Sequence, residues 1–355
     1  MTRYLKSAAA AGAALITSIG LAACGVSTAA SGGKTGSVTV YSADGLHDGT
    51  PNWYTTVFKE FTKATGITVN YVEDGSGVVV TKVEAEKARP QADVLVTLPP
   101  FIQKAAADGD LQSYSPAGIS QVSAADKASD GTWEAMVNNY PVWIYNSKQV
   151  PAAPRTWQDL LAPRYKGKLQ YSTPGQAGDG TAFLIEVLHA FGGNTTAAFN
   201  YIKKLQANNV GPSASTGKLA GQVNSGNLDL ANGDVQMNLQ QQQTEDPNLK
   251  LFFPAGADGT PSAFALPYAM GLVKNAPDTA NGKKLIDFLL SKQAQALISS
   301  QAVGYPVRTD VHPADGNFAK LEAALKGVRL YQPDWQQLLP QLNSLVARWH
   351  TVTGS

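Results

Sequence analysis

Between Ser37 and Asp110 the apolar positions recur with two different periods, and the period changes at almost every glycine or proline. "SVTVYSADG" (37–45) is a β-branched, strand-like run that ends in polar residues and glycine. "NWYTTVFKEFTKATG" (52–66) puts Trp53, Val57, Phe58, Phe61 and Ala64 on one helical face, with Gly66 placed to stop the helix. "ITVNYVE" (67–73) predicts a second strand, and residues 78–88 predict a helix with Val79, Val80 and Val83 on one face, ended before Pro90. "DVLVTL" (93–98) is a nearly continuous apolar strand, and "PPFIQKAAADGD" (99–110) a helix that starts on proline and ends at glycine.

The later half repeats the device. "YPVWIYN" (140–146) has strand composition, and "TWQDLL" (156–161) opens a helix with Thr156 and Asp159 at capping-box spacing. "KLQYSTPGQAGDGTAFLIEVLHAF" (168–191) predicts a strand, a glycine-rich corner and an amphipathic helix. Helices are expected over 199–210, 218–225, 282–300 and 335–350, and strands over "DVQMNLQ" (234–240) and "AFALPYAMGLVKN" (263–275). Strands alternating with helices imply an α/β fold of mostly parallel sheets covered by helices, and the length suits two lobes. Nothing repeats internally.

The first residues stand apart from this pattern. Arg3 and Lys6 precede an apolar, small-residue run from Ala8 to Ala23 that ends in Leu21-Ala22-Ala23-Cys24. This resembles a bacterial lipoprotein signal: residues 1–23 would be removed and the Cys24 thiol lipidated. A membrane-spanning helix is the rival reading, but the run is 16 residues, interrupted by Gly12, Ser18 and Gly20, against the ~20 a span needs. Residues 25–36 are small and polar, and the stretch from Cys24 to residue 36 reads as a flexible tether. Cys24 is the sole cysteine, which leaves no internal disulfide, CxxC pair or cysteine-rich metal site. Cleavage would shift the formal net charge from +1 to −1. Charged residues are 15% of the chain, without the basic density that nucleic acid requires.

In open α/β sheets ligands sit beyond the carboxyl ends of strands. Standing there are Ser42, Asp44 and Gly45 after the first strand, Glu73, Asp74, Gly75, Ser76 and Gly77 after the second, and Thr97 after the third. The later corner offers Ser172, Thr173, Gly178, Asp179, Gly180 and Thr181. A helix start carries unpaired N–H groups and partial positive charge, and glycine lets an anion approach the backbone. "GSG" and "GDGT" therefore suit a phosphate-like or carboxylate group. Helix capping by Ser76 and Thr181 is the plainer reading of the same residues. Asp44, Glu73, Asp74 and Asp179 would repel a simple anion but suit a zwitterion with an amine end; solvated loop acids fit the same positions. Among the aromatics Tyr140 and Tyr268 are the candidates to face a cleft, with core packing as the alternative. His47 follows the first strand and could reach the cleft, while His189 lies on an apolar helix face and reads as structural. "GSGVVV" departs from GxGxxG, and no GxxxxGK[ST], HExxH or GxSxG occurs. No catalytic residue, cofactor or metal site is expected.

"VTVYSADG", "FTKATGITVNYVE", "ADVLVTLPP", "TWQDLL", "KLIDFLLSKQAQ" and "GYPVRTDV" resemble the solute-binding proteins of ABC importers, in the subgroup that includes ferric-ion, polyamine and thiamine binders. "YSADGLHDG", "QADVLVTLPPFIQKAAADG", "DVQMNLQQ" and "ALPYAMGLVK" resemble that family's periplasmic 2-aminoethylphosphonate binders. The adjacent tyrosine pair of ferric-ion binders is missing after "DVQMN", so direct iron coordination is not expected.

The resemblance implies two lobes, 37–139 plus 262–305 and 140–261 plus 306–355, that close about a hinge. It also implies an exported, lipid-anchored monomer that binds 2-aminoethylphosphonate or a similar small molecule and docks on a membrane permease. The same fold binding a polyamine, thiamine or a metal–anion complex is the alternative. A surface phosphoester hydrolase would need a nucleophile-and-base or metal arrangement that the sequence does not display.

Overall fold

A computed structural model describes residues 36–47 and 52–355. The signal segment 1–23, Cys24 and the tether up to residue 35 lie outside the described residues. No helix among the described residues is long and apolar enough to cross a membrane.

The first part of the chain gives β1 (Ser37–Ala43), α1 (Trp53–Thr65), β2 (Thr68–Asp74), α2 (Ser76–Ala85), β3 (Val94–Thr97), α3 (Phe101–Ala107), β4 (Leu111–Gln112) and β5 (Glu134–Asn138). It then crosses into β6 (Pro141–Asn146), β7 (Leu169–Gln170), α4 (Gly178–Ala190), α5 (Thr195–Leu205), α6 (Gly217–Asn224), β8 (Leu230–Asp234), α7 (Val235–Thr244) and β9 (Leu249–Phe252). The return runs through β10 (Ser262–Phe264), β11 (Tyr268–Val273), α8 (Thr279–Leu289), α9 (Lys292–Ala296) and β12 (Tyr305–Pro306). The chain ends in α10 (Gly316–Leu325), β13 (Arg329–Tyr331), α11 (Trp335–Leu338) and α12 (Leu342–Thr353).

Two sheets define the lobes. The larger has the order β12-β5-β11-β3-β1-β2, with β4 also on β11; the smaller is β7-β8-β6-β9. Both are mixed rather than mostly parallel. β1 pairs in parallel with β2 and β3, but β11 runs antiparallel to β3 and β5. The cause is the route of the chain: β11 re-enters the larger sheet after the excursion into the smaller one, so no helical crossover constrains its direction.

Local chemistry sets most element ends. Asn52 caps α1 by accepting from the Thr55 amide, Gly66 closes it in the left-handed conformation, and Trp53, Tyr54, Val57 and Phe61 point into the core. Thr156 and Asp159 form the expected capping box, on a short 3-10 turn rather than a longer helix. Residues 234–240 are not a strand. β8 ends at Asp234, whose carboxylate accepts from the Met237 amide at 2.7 Å and starts α7. Gln, Met and Leu are good helix formers, and Val235 is the only β-branched residue of the stretch. The helix expected over 282–300 breaks at Ser291, which caps α9. The one expected over 335–350 divides around Pro340 into α11 and α12.

Candidate ligand-binding site

Register brings the ends of the first strands level. Ser42 pairs with Glu73 and with Val96, and Ala43 with Asp74, so Asp44, Gly75 and Thr97 stand along one edge of the larger sheet. Against that edge lies the corner between β7 and α4. The Gly77 amide donates to the Gln176 carbonyl at 2.9 Å, joining the two lobes directly. A Cβ on Gly75 would come within 2.8 Å of the Ala214 carbonyl, and one on Gly178 within 2.8 Å of the Ser76 hydroxyl. The two glycine corners are thus opposite walls of one seam, and glycine is there because the approach leaves no room for a Cβ.

Neither Ser76 nor Thr181 is a helix cap. Gly75 and Ala177 hold the cap positions of α2 and α4, and neither supplies a side-chain hydrogen bond. Ser76 opens α2, held by the Thr97 hydroxyl, which donates to its carbonyl at 2.9 Å. The Thr181 hydroxyl donates to the Ala177 carbonyl at 3.1 Å and accepts from the Gly175 amide at 2.9 Å, so it fixes the corner. Thr173 accepts from the Ser213 amide at 3.0 Å and ties the corner to the 213–217 loop. Gly180 lets α4 lie against the Ser172 and Thr173 carbonyls.

A third helix start joins them. α6 follows Thr216, which makes no capping bond; its hydroxyl donates to Ser172 Oγ at 3.0 Å instead. By contrast α1, α5, α7, α8 and α10 each begin on an Asn or Asp side chain that caps them. The uncapped starts of α2, α4 and α6 meet at the seam. Each carries partial positive charge and backbone donors, the requirements of an anion site.

Carboxylates lie among these starts. Asp44 Oδ2 accepts from the Ser215 hydroxyl at 2.7 Å, across the lobes. The Tyr268 hydroxyl donates to the Asp44 carbonyl at 2.9 Å, which fixes the backbone from which that side chain projects. Asp179 and Asp234 are buried, at 6% and 1% exposure. Asp179 Oδ1 has no hydrogen-bond partner. Burial pushes the Asp179 carboxyl well above the usual carboxylate range, and the charges of Asp234 and Asp44 push it further. Burial likewise raises Asp234 to about 6, with Asp44 adding to the effect. Asp44 is raised by burial, against the lowering bond from Ser215. Among the described residues no Lys or Arg pairs with any of the three. No group of three or more His, Cys, Asp or Glu there is placed to hold a metal ion.

Other sequence candidates lie elsewhere. Ser42 is buried inside the larger lobe, its hydroxyl 3.0 Å from the Tyr54 hydroxyl. Glu73 is exposed and accepts from the Tyr71 hydroxyl, while Asp74 accepts from the Gly75 amide at 2.8 Å. The Tyr140 ring packs edge-on to Tyr305 at 5.7 Å. His47 is exposed against Tyr71, and His189 stacks on Tyr331 at 3.5 Å.

Sequence reasoning missed Asp234, Gln176 and the Ser215–Gly217 turn. Asp234 was legible by the same strand-end rule, but reading 234–240 as a strand hid the end. The turn sits in "PSASTG" (212–217), whose small polar residues carry no periodic signal.

Comparison with known proteins agrees with this architecture. Residues 89–339 match the family profile of bacterial extracellular solute-binding proteins. A Salmonella typhimurium protein, named provisionally as a 2-aminoethylphosphonate-binding periplasmic protein, is 53% identical over 318 residues, 90% of this chain and 93% of its own. Among solved structures, the periplasmic binding protein AfuA of Actinobacillus pleuropneumoniae superposes with a TM-score of 0.76 at 21% identity, covering 90% of this chain and 99% of AfuA. The apo ferric ion-binding protein A of Pasteurella haemolytica gives 0.70 at 20% identity, covering 89% and 97%. These two likenesses are of fold. The profile, the relative and the shared architecture agree, and the chain belongs to the bacterial extracellular solute-binding protein family.

Proposed function

We propose that this protein captures 2-aminoethylphosphonate between its lobes and delivers it to an ABC permease, as an exported, lipid-anchored receptor and not an enzyme. The observation that carries the reading is a set of three carboxylates, Asp44, Asp179 and Asp234, that have no basic partner among the described residues and are set among three uncapped helix starts. Carboxylates withdrawn from water need a cation, and uncapped helix starts need an anion. A small zwitterion with a phosphonate at one end and an ammonium at the other supplies both. The name of the Salmonella relative points to the same ligand.

In this reading the acids and Tyr268 surround the ammonium. Backbone donors at Ser76, at Gly178–Gly180 and at Ser215–Gly217 take the phosphonate, while the Gly75 and Gly77 amides are held by Asp74 and Gln176, and Thr97, Thr173 and Thr181 hold those corners in place. The lobes comprise 37–139 plus 262–305 and 140–261 plus 306–355. Closure is a population shift driven by a ligand that touches both at once. Lipidation of Cys24 would keep the receptor at the outer face of the cell membrane, within the periplasm.

Calorimetric titration of the ligand-free protein with 2-aminoethylphosphonate tests the proposal, with phosphate, ethanolamine phosphate, spermidine and thiamine on the same sample. One-to-one binding of 2-aminoethylphosphonate at micromolar or tighter affinity, with phosphate much weaker, is expected. The acid cluster by itself favours one rival, a polyamine. Tight spermidine binding without 2-aminoethylphosphonate binding would replace the ligand and keep the receptor.

A further inference from the structure

The α6 start at the seam already holds an anion from the opposite lobe. Asp44, from the larger lobe, accepts at Oδ2 from the Ser215 hydroxyl of the smaller lobe at 2.7 Å, and the Gly217 backbone amide, in the first turn of α6, favours its charged form. α6 spans eight residues, Gly217–Asn224, and its own cap residue gives it nothing, because the Thr216 hydroxyl is turned to Ser172. A carboxylate from the opposite lobe thus stands where a ligand's anion would bind. Beside it, and in hydrogen-bonding reach of Thr216, lies Asp179, whose Oδ1 is buried without a partner.

The backbone behind Asp44 holds it in that position. Gly45 adopts a φ of 113°, a conformation that disfavours any residue with a Cβ, and a Cβ there would run into the Tyr268 hydroxyl. That hydroxyl donates to the Asp44 carbonyl at 2.9 Å. The Asp44 side chain is therefore aimed from a pinned turn.

We propose that Asp44 is a specificity gate: its carboxylate occupies the α6 anion cradle at the seam, and only a ligand that offers an ammonium in exchange displaces it. The proposal rests on the zwitterion reading of the same cleft and adds how simple anions are refused. Phosphate arriving at α6 would strip Asp44 of its Ser215 and Gly217 donors. It would leave that carboxylate beside Asp179 and Asp234 with nothing to neutralise it. A zwitterion's phosphonate takes the same donors, while its ammonium gives the released carboxylate a new partner. Selectivity then comes from an unfavourable term against the wrong ligand as well as a favourable one for the right one.

The experiment titrates wild type and Asp44→Asn with 2-aminoethylphosphonate, ethylphosphonate (the same anion without the amine) and inorganic phosphate. Asp44→Ser serves as a second variant, and circular dichroism with thermal unfolding checks that each is folded. The gate predicts that both variants lose at least tenfold in affinity for 2-aminoethylphosphonate and gain at least tenfold for ethylphosphonate and phosphate. Folded variants that weaken for the zwitterion without gaining affinity for either simple anion would overturn it, because Asp44 would then be an amine ligand only. Wild type that ignores 2-aminoethylphosphonate would refute the ligand proposed above. The gate would still be read from phosphate binding to the variants against none to wild type.

Discussion

The Gly77 amide and the Gln176 carbonyl, 2.9 Å apart, form a backbone hydrogen bond between two lobes whose contributing corners are about a hundred residues apart in the chain. The bond requires a hydrogen on the Gly77 α-carbon, because a Cβ would collide with the Gly175 carbonyl and come within 3.0 Å of Phe101 Cε1. Gly77→Ala is expected to hold the lobes apart and to weaken ligand binding at least tenfold, about 1.4 kcal/mol. Small-angle scattering should show a smaller compaction on adding ligand than in wild type. Unchanged affinity and compaction would mean that closure does not need this approach.

Asp179→Asn separates binding from stability. A buried carboxyl with one oxygen unpartnered costs stability, and the amide removes the charge at nearly constant volume. The variant should unfold at the same temperature as wild type or higher. Its affinity for an ammonium-bearing ligand should fall by roughly 2 kcal/mol, about thirtyfold. A loss of melting temperature with binding intact would assign Asp179 a structural role.

The elevated Asp234 makes the stability of the protein pH-sensitive in a defined direction. Its folded pKa, about 6, lies above the ordinary value of 3.8. The folded state therefore binds more protons between those values, and the contribution of Asp234 to stability declines as pH rises through that window. Asp234→Asn keeps a capping oxygen for Met237 and removes the titration. The melting temperature of the variant relative to wild type should increase between pH 5 and pH 7.5. Wild-type affinity for an ammonium ligand should decline as the pH falls below about 6, since the acid must be ionised to pair with it, and the variant should show a flatter profile. Parallel melting curves across that range would remove Asp234 from the account.

The two tyrosines singled out by composition should behave differently. Tyr268→Phe deletes the donor to the Asp44 carbonyl, a bond worth about 1 kcal/mol, and should weaken binding about fivefold. Tyr140→Phe alters a ring packed on Tyr305 and should leave affinity within about twofold. Titration of both against wild type checks the placement of the cleft, and the reverse order of effects would move it toward Tyr140.

Much of this was legible along the chain. The alternation at 37–43, the helical face of Trp53, Val57 and Phe61, and the capping pair Thr156 and Asp159 depend on neighbours a few residues away, so the sequence displays them directly. The strand-end rule likewise picked out Asp44 and the two glycine corners, because a turn of Gly, Ser and Asp after an apolar run is itself a local signal. It failed at Asp234 and Ser42. At Asp234, helix-forming residues directly follow the strand with no glycine or proline between them. At Ser42, the side chain of a strand's last residues points to either face, and this one points into the core toward Tyr54.

By itself, the sequence determined the succession of strands and helices, the chemistry available at their ends and the family resemblance, all of which follow from short-range periodicity and residue type. Only the tertiary structure decided that the corners at Gly77 and Gln176 meet and that α2, α4 and α6 begin uncapped at one seam. It also decided that Asp44, Asp179 and Asp234 stand there without a basic partner among the described residues. The physical reason is range. Capping and periodicity act over three or four residues, whereas the presence or absence of a counter-charge depends on which segments, far apart in the chain, the register of two sheets brings together.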